Sequence, residues 1–148
     1  MIILCDIEKS DGNKLNQAKQ LFIDLGMRIE LMSSKSHDEH IAYVSHLSHI
    51  SSFALGSAVL DIEKNEKNIF IMAGSGFGST VRLAKSSPDM WTPIFRQNKT
   101  NISRALDSYI DKLKEFRNLL SNEQYEEIHK FMKETNEIRR VLKDPDQK

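Results

Sequence analysis

AGSGFGSTVR, residues 73–82, follows directly from the apolar run NIFIMA, which reads like a strand. A glycine-rich loop behind a strand is the usual shape of a nucleotide-binding loop, so the spacing decides the fold. A dinucleotide fingerprint is G-x-G-x-x-G at the start of a helix, with an acidic residue about 20 positions on. Here Gly74, Gly76 and Gly78 are spaced G-x-G-x-G. No helical pattern starts at Phe77, and no strand ends in an acidic residue at the right distance. A Walker loop needs G-K-[ST], which is absent. Two readings remain: a structural turn whose glycines adopt positive φ, or a loop that brings backbone N–H groups and Arg82 up to a small anion. Arginine suits the second, because its planar fork matches a carboxylate bidentately.

Outward from that loop, the pattern on both sides is helical. SSKSHDEHIAYVSHLSHISSFALGSAVL carries an apolar stripe at Ile41, Val44, Leu47, Ile50, Ala54 and Ala58. Ser36 with Glu39 matches a capping box. Ser48, Ser52 and Gly56 line up at i, i+4 and i+8, which suits a close helix crossing. IEKNEKN reads as a charged connector. On the far side, Ser87-Pro88 starts a helix carrying Met90, Trp91, Ile94 and Phe95. Ile102, Leu106, Tyr109, Leu113, Phe116 and Leu120 step by 4 and 3, an a/d-type seam fit for bundle packing. Ser121 with Gln124 offers another capping box before a last helix with Tyr125, Ile128, Met132, Thr135, Ile138 and Leu142. DPDQK is a polar tail.

The first 33 residues differ. IILC is a short apolar strand, LNQAKQLFIDLG a helix with Leu15, Ala18, Leu21, Phe22 and Leu25 on one face, and MRIELM an alternating strand. Two strands make no stable sheet alone, so this reads as the end of a larger sheet, with a small two-stranded cap on a helical domain as the alternative. The expected class is mainly α: a helical bundle over 34–148, preceded by a βαβ segment over 1–33.

Composition narrows the function classes. The 148 residues carry 21 basic and 21 acidic side chains, so there is no basic footprint for nucleic acid. No stretch approaches a membrane span. The single cysteine, Cys5, rules out an internal disulfide framework, and the expected location is cytoplasmic. Of the five histidines, His37, His40, His46 and His49 fall close together. His46 and His49, at i, i+3, can face one site. Neither H-E-x-x-H nor H-x-x-E-H is present, so no metal site is assigned. Ser45 and His49 sit at i, i+4, but neither a third triad member nor an oxyanion hole is visible.

These two stretches together resemble the C-terminal domain of prephenate dehydrogenases, including the related arogenate dehydrogenases. The first family pattern is H-D, three residues, A, two residues, S-H-L-P-H, matched by His37, Asp38, Ala42, Ser45, His46, Leu47 and His49. The second is G-G-G-F-[RK]-D-x-T-R-I-A-x-S-x-P-x-M-W-x-D-I-x-x-x-N. Gly74, Gly76, Phe77, Arg82, Ala84, Ser86, Pro88, Met90, Trp91, Ile94 and Asn98 match it. Ser48, Ser75, Gly78-Ser79 and Pro93 depart from it. The resemblance implies oxidative decarboxylation of prephenate to 4-hydroxyphenylpyruvate with NAD or NADP, as a homodimer. It implies substrate contacts from Arg82, His49, His46, Ser75, Gly76 and Trp91. It places the cofactor loop and the catalytic histidine in a nucleotide domain, so this chain alone is expected to hold no cofactor and no catalytic residue. Residues 1–33 then correspond to the last βαβ segment of that domain. Two other readings stay open: a non-catalytic helical dimer binding an aromatic acid such as tyrosine, and an inactive remnant of a truncated gene.

Overall fold

The structure, a computed structural model, describes residues 1–64 and 68–142. It is mainly helical with one small parallel sheet, the class the sequence indicates. The described chain forms two compact units, one from Met1 to Ala105 and one from Leu106 onward.

The first unit opens with the βαβ segment. Strand β1 (Ile2–Cys5) pairs in parallel with β2 (Ile29–Met32), Ile2 opposite Ile29. Between them runs α1 (Gly12–Asp24), whose N-terminus is capped by the Asp11 carboxylate accepting from the Lys14 N–H at 3.0 Å. Its C-terminus closes with two bonds, Gly26 N–H to the Ile23 carbonyl and Met27 N–H to the Phe22 carbonyl. This turn puts Gly26 at φ 72°, a left-handed position that favours glycine. The apolar face drawn on α1 is only half used within the chain, since Leu21 and Leu25 are exposed.

Asp6 ties this segment to the helices. Its own backbone is left-handed (φ 49°), which turns its carboxylate onto the start of α2 (Ser34–Ile41). There it accepts from the Ser34 N–H at 2.7 Å and the Ser34 hydroxyl at 2.8 Å. The Ser34 amide, then Lys9, hold the Asp6 carboxyl down at about 2. The side-chain cap of α2 is Ser33, which accepts from the Ser36 N–H at 3.1 Å. The expected Ser36–Glu39 capping box is therefore not formed. With Asp6 and Ser33 both serving its first turn, α2 begins one residue after Ser33, and Ser36 is already inside it.

After α2 the chain takes a π-helical turn over Ala42–His46, with the Leu47 N–H reaching back to the Ala42 carbonyl, and continues as α3 (Leu47–Glu63). An extra residue in one turn rotates everything beyond it by about 100° relative to an uninterrupted α-helix. The stripe drawn at a constant helical period breaks there: Val44 is 73% exposed. The core that forms instead is Ala42, Ile102 and Ala105, with Leu47, Ile50 and Phe95 packed against it.

NIFIMA is not a strand. Ile69–Met72 form a 3-10 turn, with Ile71 and Met72 largely exposed. The glycine loop is a short helix, α4 (Ser75–Thr80), running into a second 3-10 turn, Arg82–Lys85. Gly74, Gly76 and Gly78 all have ordinary φ, because Gly26 is the one glycine at positive φ among the described residues. The positive-φ turn is thus excluded. Ser52 and Gly56 serve this segment rather than another helix. The Ser52 hydroxyl donates to the Thr80 carbonyl at 2.7 Å, and a Cβ at Gly56 would sit 3.8 Å from that of Ala84. The third small residue, Ser48, bonds back to the Val44 carbonyl within its own helix. The middle of the connector IEKNEKN (residues 65–67) and the tail DPDQK lie outside the described residues.

Helix α5 (Pro88–Gln97) starts at Ser87-Pro88 as expected and runs through Pro93. Asn98 ends it and at once accepts, through its carbonyl, from the Ile102 N–H in the first turn of α6 (Lys99–Ser121).

In the second unit, α6 turns into α7 (Tyr125–Thr135), followed by a 3-10 turn over Asn136–Arg140. Thus Ile138 and Leu142 lie beyond the last α-helix. The Phe116 and Phe131 rings meet edge to face at 5.7 Å, and Ile128 is buried. Two of the six residues of the proposed seam are uncovered, Leu113 and Leu120, both about half exposed. The Ser121–Gln124 capping box is not formed. Instead Glu123 N–H bonds the Leu120 carbonyl and Gln124 N–H the Leu119 carbonyl, with Glu123 at φ 54°. This is the turn that glycine makes at Gly26, here made by a residue with a Cβ. Such a residue costs about 1–2 kcal/mol in left-handed backbone. Glu123→Gly is therefore expected to raise unfolding free energy by about 1 kcal/mol, read by denaturant titration. An unchanged or lower value would show that the Glu123 side chain compensates for its backbone.

Candidate functional site

The aromatic and polar side chains of the first unit converge where the π turn, α3 and α5 meet. His49, on the first turn of α3, stacks on Trp91 of α5, with ring centroids 3.6 Å apart and planes 29° from parallel. His46 meets the same indole edge to face at 5.9 Å and Phe95 at 6.4 Å. Trp91 and His46 are buried, while His49 is half-buried. The Trp91 indole nitrogen is buried without a hydrogen-bond partner among the described residues.

Elementary donor and acceptor rules fix the protons here. The His49 Nδ1 lies 3.0 Å from the Ser45 carbonyl. A carbonyl only accepts, so Nδ1 carries hydrogen and donates. The neutral His49 ring then offers a lone pair at Nε2, and its cation a second N–H. His46 Nδ1 is 3.3 Å from the amide nitrogen of Asn98, which also donates to the Asp38 carbonyl at 2.7 Å. Burial is the main cause that pushes the His46 ring below its ordinary value; Asp38 opposes this, and His37 and His49 add to it.

The structure thus brings together three of the residues singled out from the sequence: His46, His49 and Trp91. Arg82, Ser75 and Gly76 sit on the neighbouring segment. Ser75 opens α4, Gly76 follows it, and Arg82 opens the next 3-10 turn, all three exposed. That segment is fixed to α3 through Ser52, one turn beyond His49. Arg82 has no ion-pair partner among the described residues. Sequence reasoning gave no role to Phe95 or to the Asn98 side chain. The signal for Asn98 was its match to the last position of the second motif, but motif position does not reveal a bond to a residue 52 positions earlier. Among the described residues, no group of His, Cys, Asp or Glu is placed to hold a metal ion, and no helix is long and apolar enough to cross a membrane.

A mainly helical domain with a βαβ leader and a histidine–tryptophan site is the class this geometry defines. Residues 33–134 match the family model for the prephenate dehydrogenase dimerization domain. The chain belongs to that family. It is similar to the cyclohexadienyl dehydrogenase of Zymomonas mobilis, 31% identical over 121 residues, which are 81% of this chain and 41% of that protein. It is also similar to the crystal structure of Aquifex aeolicus prephenate dehydrogenase in complex with hydroxyphenyl propionate and NAD+. There the TM-score is 0.86 at 33% identity, over 95% of this chain and 49% of that one. The Synechocystis arogenate dehydrogenase gives a TM-score of 0.77 at 28% identity, over 94% of this chain and 51% of that one. The chain therefore spans 41% to 51% of the length of these relatives.

Because the folded His46 has a lowered pKa, protonation favours the unfolded chain. Its contribution to stability is complete above 6.5, its ordinary value, and is lost as pH falls below 6.5. Thermal melts from pH 8 to pH 5 should fall more steeply for the parent than for His46→Gln. Parallel curves would show that the ring takes up its proton as easily folded as unfolded.

Proposed function

We propose that this chain is the substrate-side, dimer-forming portion of an NAD- or NADP-dependent prephenate or arogenate dehydrogenase. The observation that carries this reading is the His49–Trp91 stack, flanked by His46 and built from residues of both motifs. Prephenate bears two carboxylates, so its site needs at least one fixed cation and convergent donors. Arg82 is the proposed carboxylate clamp. His49, as its cation, donates from Nε2 to the dianion, and Trp91 supplies an apolar wall behind it. His46 adds a buried polar edge, and Ser75 and Gly76 line the pocket through backbone.

The residues present do not fit a dinucleotide. The glycine segment follows a 3-10 turn instead of a strand, and the one βαβ unit has no G-x-G-x-x-G after β1. Hydride acceptance is therefore assigned outside this chain, and residues 1–33 are read as the last βαβ segment of the domain that provides it. Residues 34–148 are read as the helical domain.

Homodimer formation is supported by the family and by the uncovered face of the second unit, where Leu113, Leu120, Tyr125 and Met132 are exposed. Sedimentation should give about twice the 17.0 kDa chain mass at micromolar concentration. A folded monomer there would remove this part of the reading.

The substrate side is tested by supplying a nucleotide domain, fused or as a second chain, and measuring prephenate turnover for Arg82→Ala and Arg82→Lys. Loss of the clamp should lower kcat/KM at least tenfold, about 1.4 kcal/mol. Lysine should rescue poorly, because a point charge does not reproduce the fork. Melting should be unchanged, since Arg82 is exposed. Values within about twofold of the parent, far below the 1.4 kcal/mol that a tenfold loss represents, would make Arg82 an ordinary surface residue.

A further inference from the structure

Asn98 is buried, at 8% exposure, and every hydrogen-bonding group of its side chain is engaged. Its amide nitrogen donates to the Asp38 carbonyl at 2.7 Å and lies 3.3 Å from His46 Nδ1. Its carbonyl oxygen accepts from the Asn101 amide at 2.7 Å. Arg104 in turn donates to the Asn101 carbonyl oxygen and pairs with Glu39 at 3.6 Å. Each end of this chain is chemically directional. The Asp38 carbonyl can only accept, so the nitrogen of the Asn98 amide must face it. The guanidinium can only donate, so the oxygen of Asn101 must face Arg104 and its nitrogen must face Asn98. Both ends demand the same orientation of the Asn98 amide. Its second N–H is then left for His46, whose Nδ1 must be a lone pair.

We propose that Asn98, oriented by Asn101 and the Asp38 carbonyl, is a positioning residue that holds His46 in the tautomer protonated at Nε2. His49 is held in the other tautomer by the Ser45 carbonyl. The two neutral rings packed on Trp91 thus present unlike Nε2 groups, an N–H from His46 and a lone pair from His49. While His49 is neutral, a substrate group reaching both meets one donor and one acceptor; when His49 is the cation that holds the dianion, it meets two donors. That consequence rests on the substrate-side reading of these histidines; the tautomer assignment does not.

The test is the 148-residue chain with its histidines labelled with nitrogen-15. Long-range proton–nitrogen correlation spectra at pH 8 read which ring nitrogen carries hydrogen. The parent should show His46 protonated at Nε2 and His49 at Nδ1. In Asn98→Asp the side chain can only accept, so His46 should flip to Nδ1–H. Its protonation midpoint should also rise, because the new carboxylate joins Asp38 against the opposing His37 and His49. Asn98→Ala should give a mixture of tautomers. A parent ring protonated at Nδ1 would overturn the proposal, as would an Nε2–H ring that persists in both variants. Should neither variant fold, Asn101→Ala decides: loss of the single His46 tautomer supports the relay, and an unchanged folded spectrum removes Asn101 from it. Turnover in the assembled enzyme separates the two claims. A tautomer flip in Asn98→Asp with KM and kcat both unmoved would keep the positioning role and take His46 out of the substrate site.

Discussion

One buried amide joins most of the first unit. Asn98 stands where α5 ends and α6 begins, so its backbone closes one helix and opens the next. Its side chain meanwhile reaches the last turns of α2 and the π turn, 60 and 52 positions back in the chain. A polar side chain this deep costs stability unless it is fully bonded. Here it is, and the requirement is mutual. The Asp38 carbonyl, already bonded by the Ala42 N–H, takes Asn98 as its second donor, His46 needs a donor for Nδ1, and Asn101 needs an acceptor. Satisfying all three fixes α2 and the π turn against the α5–α6 corner. The small apolar core of Ala42, Ile102 and Ala105 then packs beside a junction whose geometry is already set. Hydrophobic burial alone would allow neighbouring packings; the directional bonds select one.

The second constraint is steric. Ser52 and Gly56 keep one face of α3 low, and the Thr80–Ala84 backbone lies on it. Because the Ser52 hydroxyl holds the Thr80 carbonyl, the position of Arg82 along the chain is fixed two residues from an anchor. That anchor is on the same helix as His49. The arrangement gives an exposed cation a rigid base without burying it, as the proposed carboxylate clamp requires.

What the sequence disclosed followed physical period and punctuation. The βαβ segment, the Ser87-Pro88 helix start and the long α6 were legible because turn chemistry and apolar spacing agreed there. Legibility failed where tertiary bonds overrode local pattern. The π turn leaves no signature in composition, yet it breaks the constant helical period, so Val44, in phase with the apolar stripe, lies in the open. Ser36-x-x-Glu39 satisfied a local rule. However, Asp6, 28 positions upstream of Ser34, supplies a stronger acceptor at the same helix end, and Ser33 takes the cap. NIFIMA is apolar enough for a strand, but the only sheet described is the two-stranded one at the N-terminus. At the site, His46, His49 and Trp91 were legible through motif position. The proton arrangement of the two rings was not, because it is set by carbonyls and amides that no motif records.

The glycines of residues 73–82 carry a cost. Gly76 and Gly78 lie inside α4, where glycine is about 1 kcal/mol less favourable than alanine per position. Two ordinary reasons would offset that cost, a left-handed φ or a crowded Cβ. Neither applies: the φ angles are negative, and a Cβ at Gly74, Gly76 or Gly78 would meet nothing within 4 Å. The helix also has only six residues, too few to be stable without tertiary support. Its fixed point is Thr80, at the end nearest Arg82. A short helix with no side chain at two of its six positions, pinned at one end, leaves its backbone open to close approach from solvent. The fold gives no internal use for that openness. The proposed one is a carboxylate ligand reaching Ser75 and Gly76 on its way to Arg82, so the same stretch that fails as a dinucleotide loop has a physical reason to be rich in glycine.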